Sequence, residues 1–346
     1  MELSWLSSPH RLRGCTAACL ALAASCLLLS ACRRSTLPAA MSDREFWALV
    51  ETLSEPPGAF ALSDNLVSNE PYFADTVRIL RPVGGVYIGV GPEQNYSYIA
   101  RLQPSIAFII DIRRENRNLH LLYKALFDLS ANRAEFVSRL FSRPRPPDLD
   151  ASASVDVIFT RFHSVPASRD LYEQTMGFVT EQLAATHGFP LSEADLVGIR
   201  GALAAFRDDG PEIQFWRSRP ADAIGPSYRR LMTARDVSGV SRSYLSAETA
   251  FRFVKDLHAR NLIVPVIGDF AGATTFRRVG EYVRARADAV RAFYASNVGV
   301  YLTNQQTHAF CGNLSALPAA PGAVFIESNR VRPFALRLRA CPAVNK

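Results

Sequence analysis

The period of the hydrophobic pattern changes along the chain, and the changes delimit its elements. Residues 86–90 and 106–112 are short, unbroken apolar runs rich in β-branched side chains, as in strands buried on both faces. Residues 94–102 between them fit a short helix. Apolar positions recur at three- and four-residue steps over 43–53, 116–141, 169–186, 192–207, 246–260 and 274–286, each predicting an amphipathic helix. Ser42 stands as a cap before the first, and Ser192 with Asp195 makes a capping-box start to the fourth. Strands return at 262–267, 289–294 and 323–327, with a last edge strand expected at 334–338. Arg143-Pro-Arg-Pro-Pro147 breaks the helical run. Strands alternating with helices predict an α/β fold with a mostly parallel sheet. The helices after the second strand predict a large insertion spanning about 115–245.

The strand ends carry the candidate chemistry. The first strand runs into Gly89-Val90-Gly91-Pro92, and the second ends on Asp111 about 20 residues on. A strand, glycine turn, helix and strand ending in an acid is how a Rossmann-type fold holds an adenosine-bearing ligand. The dinucleotide pattern needs a third glycine. Here the run reads GVGPEQN, so a mononucleoside pocket is expected in place of a pyrophosphate cradle. The competing reading is a plain strand-to-helix turn, with Asp111 as a helix cap. Two later strands also end in polar residues, Asp269 and Ser296-Asn297, and ligands of open α/β sheets bind beyond the carboxyl ends of strands. Asp269, before Phe-Ala-Gly, also fits a simple turn former.

Gly-x-Gly followed by this acid resembles motifs one and two of class I S-adenosylmethionine-dependent methyltransferases. The resemblance implies a methyltransferase-like sheet, with Gly89 and Gly91 facing the methionine part of the cofactor and Glu93 in the same turn. It implies Asp111 on the ribose, Asp269 near the adenine amine and Asn297 near the transferable group. If the protein is an enzyme, Asn297 or Tyr294 would orient the acceptor. No Asn-Pro-Pro-Tyr-like motif follows the fourth strand. The charges of Glu93, Asp111, Arg113 and Arg114 suit a polar ligand whether or not catalysis occurs. The polar loop 63–70 precedes the first strand, where it would lie over the cofactor edge or serve as a turn and cap. The long polar stretch 208–243 is expected to cover the site, with its arginines meeting an anionic ligand, or to be a surface excursion.

Ahead of the globular part lies a different pattern. Arg11 and Arg13 precede an apolar and small-residue run from Cys15 to Ala31, ending Leu-Ser-Ala-Cys32. This resembles the lipobox of bacterial lipoproteins and implies a signal peptide over 1–31, lipid on Cys32, a tether over 32–41 and one domain over 42–346. The protein would then face the periplasm, held to the membrane through its N-terminal lipid. Initiation at Met41 would instead give a cytoplasmic protein. Of six cysteines only Cys311 and Cys341 lie beyond Cys32. In an exported chain they fit one disulfide, and by spacing alone two free thiols fit as well.

Charge and motif content narrow the function classes. The net charge of +7 is spread along the chain, and no basic run with interleaved aromatics points to nucleic acid. No set of ligands at metal spacing, Gly-x-Ser-x-Gly elbow or His-Glu-x-x-His motif is present. His163, His187 and His258 are scattered and expected on helix or loop surfaces.

Several stretches, among them SDNLVSNE, GGVYIGVGPEQNYSYIA, AFIIDIRREN and NLIVPVIGDFAG, resemble an uncharacterised bacterial protein family. That resemblance implies a methyltransferase-like fold, often behind an export leader, and assigns no reaction. The expectation is therefore an exported lipoprotein binding a small polar ligand or a partner, with a methyltransferase-like enzyme using S-adenosylmethionine as the alternative.

Overall fold

The computed structural model describes residues 34–60, 64–217 and 225–341. The leader and Cys32 lie outside the described residues. The chain divides into two units, Met1–Thr36 and Leu37–Lys346, and the second carries the fold. Within the stretch expected as a tether, Leu37 and Met41 pack against the core of this unit.

Six strands form one sheet: β1 (Val86–Gly89), β2 (Ile106–Asp111), β3 (Ile263–Ile267), β4 (Val290–Tyr294), β5 (Ala319–Glu327) and β6 (Arg330–Pro333). Their order is β3-β2-β1-β4-β5-β6. The first five run parallel, and β6 pairs antiparallel with β5. β1, β2 and β3 are buried along their whole length, which is why they read as continuous apolar runs. The order reverses between β1 and β4, so the crossovers on either side diverge and leave a crevice beyond the strands' carboxyl ends.

The described helices are α1 (Asp43–Leu53), α2 (Phe73–Ile79), α3 (Gln94–Leu102), α4 (Arg114–Leu129), α5 (Arg133–Phe141), α6 (Val155–His163), α7 (Arg169–Thr180), α8 (Glu193–Asp209), α9 (Tyr228–Thr233), α10 (Glu248–Ala259), α11 (Thr275–Ala285), α12 (Asn304–Ala316) and α13 (Phe334–Arg339). α3, α4 and α10 pack on one another in one layer, while α1, α11 and α12 form another; β3 touches both α1 and α4. α5 to α9 build outward from α4, and these helices lie in the connection from β2 to β3.

Three expectations are corrected. Residues 116–141 are not one helix: the chain breaks at Ser130, Asn132 caps α5 by accepting from Glu135 N, and the Glu135 carboxylate accepts from Ala131 N at 2.9 Å. This local bonding offers the backbone an alternative to continuing the helix. Residues 334–338 are helix, not strand. Pro333 closes β6, and Phe334 and Leu338, four residues apart, both face the core from α13. His258 is buried, its ring stacked on Phe127 at 4.9 Å. It continues the apolar face that Phe251, Val254 and Leu257 give α10. His187 bridges Asp43 and Asp128, and only His163 of the three is well exposed. Cys311 and Cys341 form a disulfide that ties α12 to the end of α13.

Candidate functional site

A cleft of about 230 Å³ opens beyond the carboxyl ends of β1 to β4. Val90, Gly91 and Pro92 line it after β1, Asp111 to Arg113 at the end of β2, Asp269 and Phe270 after β3, and Tyr294, Ser296 and Asn297 at the end of β4. Asn65, Ser68 and Asn69 reach it from the polar loop before α2. Phe60, Phe215 and Tyr301 add aromatic surface, with Phe60 and Tyr301 meeting edge to face at 5.1 Å.

Seven of the residues picked out from sequence therefore border one space: Gly91, Asp111, Arg113, Asp269, Tyr294, Ser296 and Asn297. Gly89 and Glu93 do not. A Cβ on Gly89 would lie 1.9 Å from Asn95 Oδ1 and 2.7 Å from the Tyr87 hydroxyl. Its glycine is required by packing inside the fold, not by approach of a ligand. Gly91 is different: its φ of +76° needs glycine and the space beside it is open. Asn95 holds the turn from within, donating to Val90 O at 2.8 Å and Pro92 O at 2.8 Å while accepting from Tyr87 OH at 2.8 Å. His120 supports it from behind. Its Nε2 lies 2.9 Å from the Gly91 carbonyl, which can only accept, so Nε2 carries the proton and Nδ1 accepts from Tyr96 OH at 2.6 Å. Burial pulls this imidazole down to about 4, so it is neutral.

Asp111 is already held. Arg113 donates from Nε to Oδ1 at 3.0 Å, from Nη2 to Oδ2 at 3.1 Å, and from its backbone N to Oδ1 at 3.0 Å. Both side chains are nearly inaccessible. Nη1 donates to Asp64 O at 2.8 Å, tying the pair to the polar loop. A ribose hydroxyl would have to share a carboxylate that this guanidinium already clamps at both oxygens.

Glu93 sits behind the turn, fully buried, its two oxygens each 3.2 Å from Ser68 N. Burial pushes its carboxyl up to about 8. Glu70, which sequence reasoning missed, is also buried and raised by desolvation. It accepts from Ser296 Oγ and, at 3.1 Å, from Gln94 Nε2. Gln94 links this carboxyl to Tyr98, Tyr294 and Ser68. Ser296 takes a φ of +48°, uncommon for a residue with a Cβ and costly unless neighbours enforce it. The polar density of residues 63–70 was the one signal for Glu70; its partner lies 226 positions away.

The remaining polar tips are satisfied locally. Asp269 Oδ1 accepts from Ala271 N at 2.8 Å, making the turn, and Asn297 Nδ2 donates to Tyr301 OH at 3.3 Å. Among the described residues, no arginine of 208–243 lines the cleft: Arg229 pairs with Glu212, Arg235 with Asp156 and Arg242 with Asp236. Acidic neighbours on the same surface capture these three, so the expected anion clamp does not form from them. Among the described residues of this stretch, Phe215 lines the cleft. Residues 218–224 lie outside the described residues.

No curated protein matches the chain. A family model does match, over residues 66–151 and 199–339, and so takes in β1 to β6, the Gly91 turn, Asp111 and Asn297. With well over half its length covered, this chain belongs to the family described as Domain of unknown function (DUF7790).

Proposed function

We propose that this chain is an exported, lipid-anchored protein whose cleft binds a small polar ligand of nucleoside type, in a sheet arranged as in class I methyltransferases. The observation that carries the reading is the meeting of four strand ends on one space at the point where strand order reverses, which is where open α/β sheets bind ligands. The volume of about 230 Å³ lies below the 300–1,000 Å³ typical of ligand pockets. It favours one nucleoside or a smaller polar molecule over a dinucleotide. Aromatic walls beside amide and hydroxyl groups suit a flat polar ring. Export is supported by the apolar leader pattern and by the Cys311–Cys341 disulfide, since disulfides persist in oxidising compartments.

Catalysis with S-adenosylmethionine is the second reading. The acid at the end of β2 favours it, and the Arg113 clamp on that acid weighs against it. Calorimetric titration of the purified protein with S-adenosylhomocysteine separates the two, with Asp111→Asn as control. Micromolar binding that the control loses would support a working adenosine site. A folded sample that stays silent at millimolar ligand would remove S-adenosylmethionine chemistry and leave a different small polar ligand. Asn297 and Tyr294 remain the candidates to orient an acceptor in the first case only.

A further inference from the structure

The end of the sheet opposite the cleft carries its own chemistry. α2 runs from the cleft side towards the amino end of β1, and Arg78, Ile79 and Arg81 stand at its close. The turn around Val237 abuts this helix, its N–H donating to Asp75 Oδ1 at 2.8 Å. Arg81 and Arg101 direct their donors to backbone carbonyls: Arg81 Nη1 to Leu80 O at 3.0 Å and Arg101 Nε to Leu80 O at 2.8 Å. A carbonyl fixes the side chain without neutralising its charge. Burial and then the positive charges of Arg81 and Arg242 pull the Arg101 guanidinium below its ordinary value. Arg291 lies over Gly85, just before β1. Arg78, Arg81, Arg101 and Arg242 thus gather around this turn, with Arg235 in the turn itself and Arg291 by Gly85. Asp75, Asp236 and Asp156 pair with Arg78, Arg242 and Arg235, and Asp288 accepts from the backbone N of Ala289 beside β1, leaving arginine in excess. Apolar side chains project among them: Val237 is 78 % exposed, Ile79 50 % and Val240 45 %.

The chain also enters its body at this end. Met41 N donates to Arg260 O at 3.0 Å, and Asn261 Nδ2 donates to Met41 O at 3.0 Å, immediately before β3. β3 is two strands from β1, roughly 10 Å across the sheet.

We propose that this arginine-rich, apolar-studded amino end of the sheet lies against an anionic bilayer surface, leaving the cleft turned away from the membrane. Interleaved apolar side chains favour lipid over nucleic acid, because they gain from the headgroup and acyl boundary and have no counterpart on a phosphate backbone. Each arginine near an anionic surface strengthens attachment about fivefold. The face stands on its own residues and takes only its tether from the lipid-anchored reading above.

The test uses the full chain on vesicles of phosphatidylcholine, alone or mixed with phosphatidylglycerol. A photo-crosslinking side chain replaces Val237 on this face or Val300 at the cleft rim. Lipid adducts are expected at position 237, rising with phosphatidylglycerol and falling in high salt, with few at position 300. Arg78→Gln/Arg81→Gln should lower the face-down population about 25-fold. Both arginines are exposed; should that pair misfold, Arg81→Gln alone should give about a fivefold loss. Equal adducts at the two positions, or adducts indifferent to anionic lipid, would overturn the proposal. So would equally tight binding of a duplex RNA that the same substitutions abolish. Flotation with phosphatidylcholine alone reads the lipid anchor separately, so a missing anchor is not mistaken for a missing face.

Discussion

Two acidic regions, one on the cleft wall and one buried behind it, are built on opposite principles. On the β2 side Asp111 is met by a guanidinium at both oxygens. On the side of the glycine turn, Glu93 and Glu70 are equally buried but meet neutral donors: a backbone N–H, a serine hydroxyl and a carboxamide. Burial disfavours the ionised form wherever no cation offsets it. Burial therefore pushes Glu93 up to about 8 and raises Glu70, so at neutral pH Glu93 holds a proton. One wall of the cleft is a fixed ion pair, and behind the other lies a carboxyl that can change its charge. Two carboxylates from one sequence thus acquire different chemistry from their surroundings alone.

The comparison breaks most visibly at Arg113. Arg113→Ala would leave Asp111 buried with its charge uncompensated and would cut the tie to Asp64 O. The expected loss is about 3–5 kcal/mol of stability, measured by urea unfolding at pH 7. Arg113→Lys should recover only part, because an ammonium is a point charge and does not span both carboxylate oxygens. A loss under about 1 kcal/mol for Arg113→Ala, the scale of an exposed pair, would mean that water reaches Asp111 and that the two walls are alike.

The second test reads the proton on Glu93. Its carboxyl rises from 4.5 to about 8 on folding. Between those values the native state binds a proton that the unfolded state releases. Stability from this group is full below pH 4.5 and falls as pH climbs to 8, by about 1.4 kcal/mol per unit. His120 works the other way, its imidazole falling from 6.5 to about 4, so its contribution rises with pH across that window and is complete above it. The two offset each other between about pH 4.5 and 6.5. Above it Glu93 stands uncompensated by His120, and unfolding free energy should drop by roughly 2 kcal/mol from pH 6.5 to 8. Glu70 is shifted in the same direction as Glu93, so the sharper measurement is a difference. Over pH 6.5–8 the Glu93→Gln protein should show a slope about 1.4 kcal/mol per unit shallower than the parent. Parallel curves would show that Glu93 is already ionised.

The sheet was legible in the sequence because its strands are buried on both faces, and such runs announce themselves without knowledge of neighbours. Gly91, Asp111, Asp269 and Asn297 could be picked out because each ends a strand, and a parallel sheet gathers such ends on one edge. What stayed hidden depends on partners distant in sequence or on competing local bonds. Glu70 meets Ser296 only through the fold. Arg113 sits two residues from Asp111, yet its turning back onto that acid depends on burial and on the Asp64 carbonyl. The final segment Phe-Ala-Leu-Arg-Leu alternates like a strand, and the end of β6 at Pro333 with core packing of Phe334 and Leu338 decides for helix.

The smallest effects lie within the turn itself and separate its two glycines. Both looked like positions for a ligand's approach. Gly89→Ala would drive a methyl into the Tyr87–Asn95 hydrogen bond, whose atoms stand 1.9 and 2.7 Å from the new carbon. Overpacking of this kind typically costs about 1–3 kcal/mol. It should appear as lost stability, with ligand affinity following only as the turn shifts. Gly91→Ala meets no atom, and its penalty is the backbone cost of a positive φ, about 1 kcal/mol. Its methyl would stand at the cleft wall, so ligand binding should suffer more than stability. Urea midpoints and ligand titrations on the two variants give a crossed pattern if the assignment holds. If both lose stability alike and bind alike, the turn is a structural corner only, and the ligand must be held by the tips of β2 to β4.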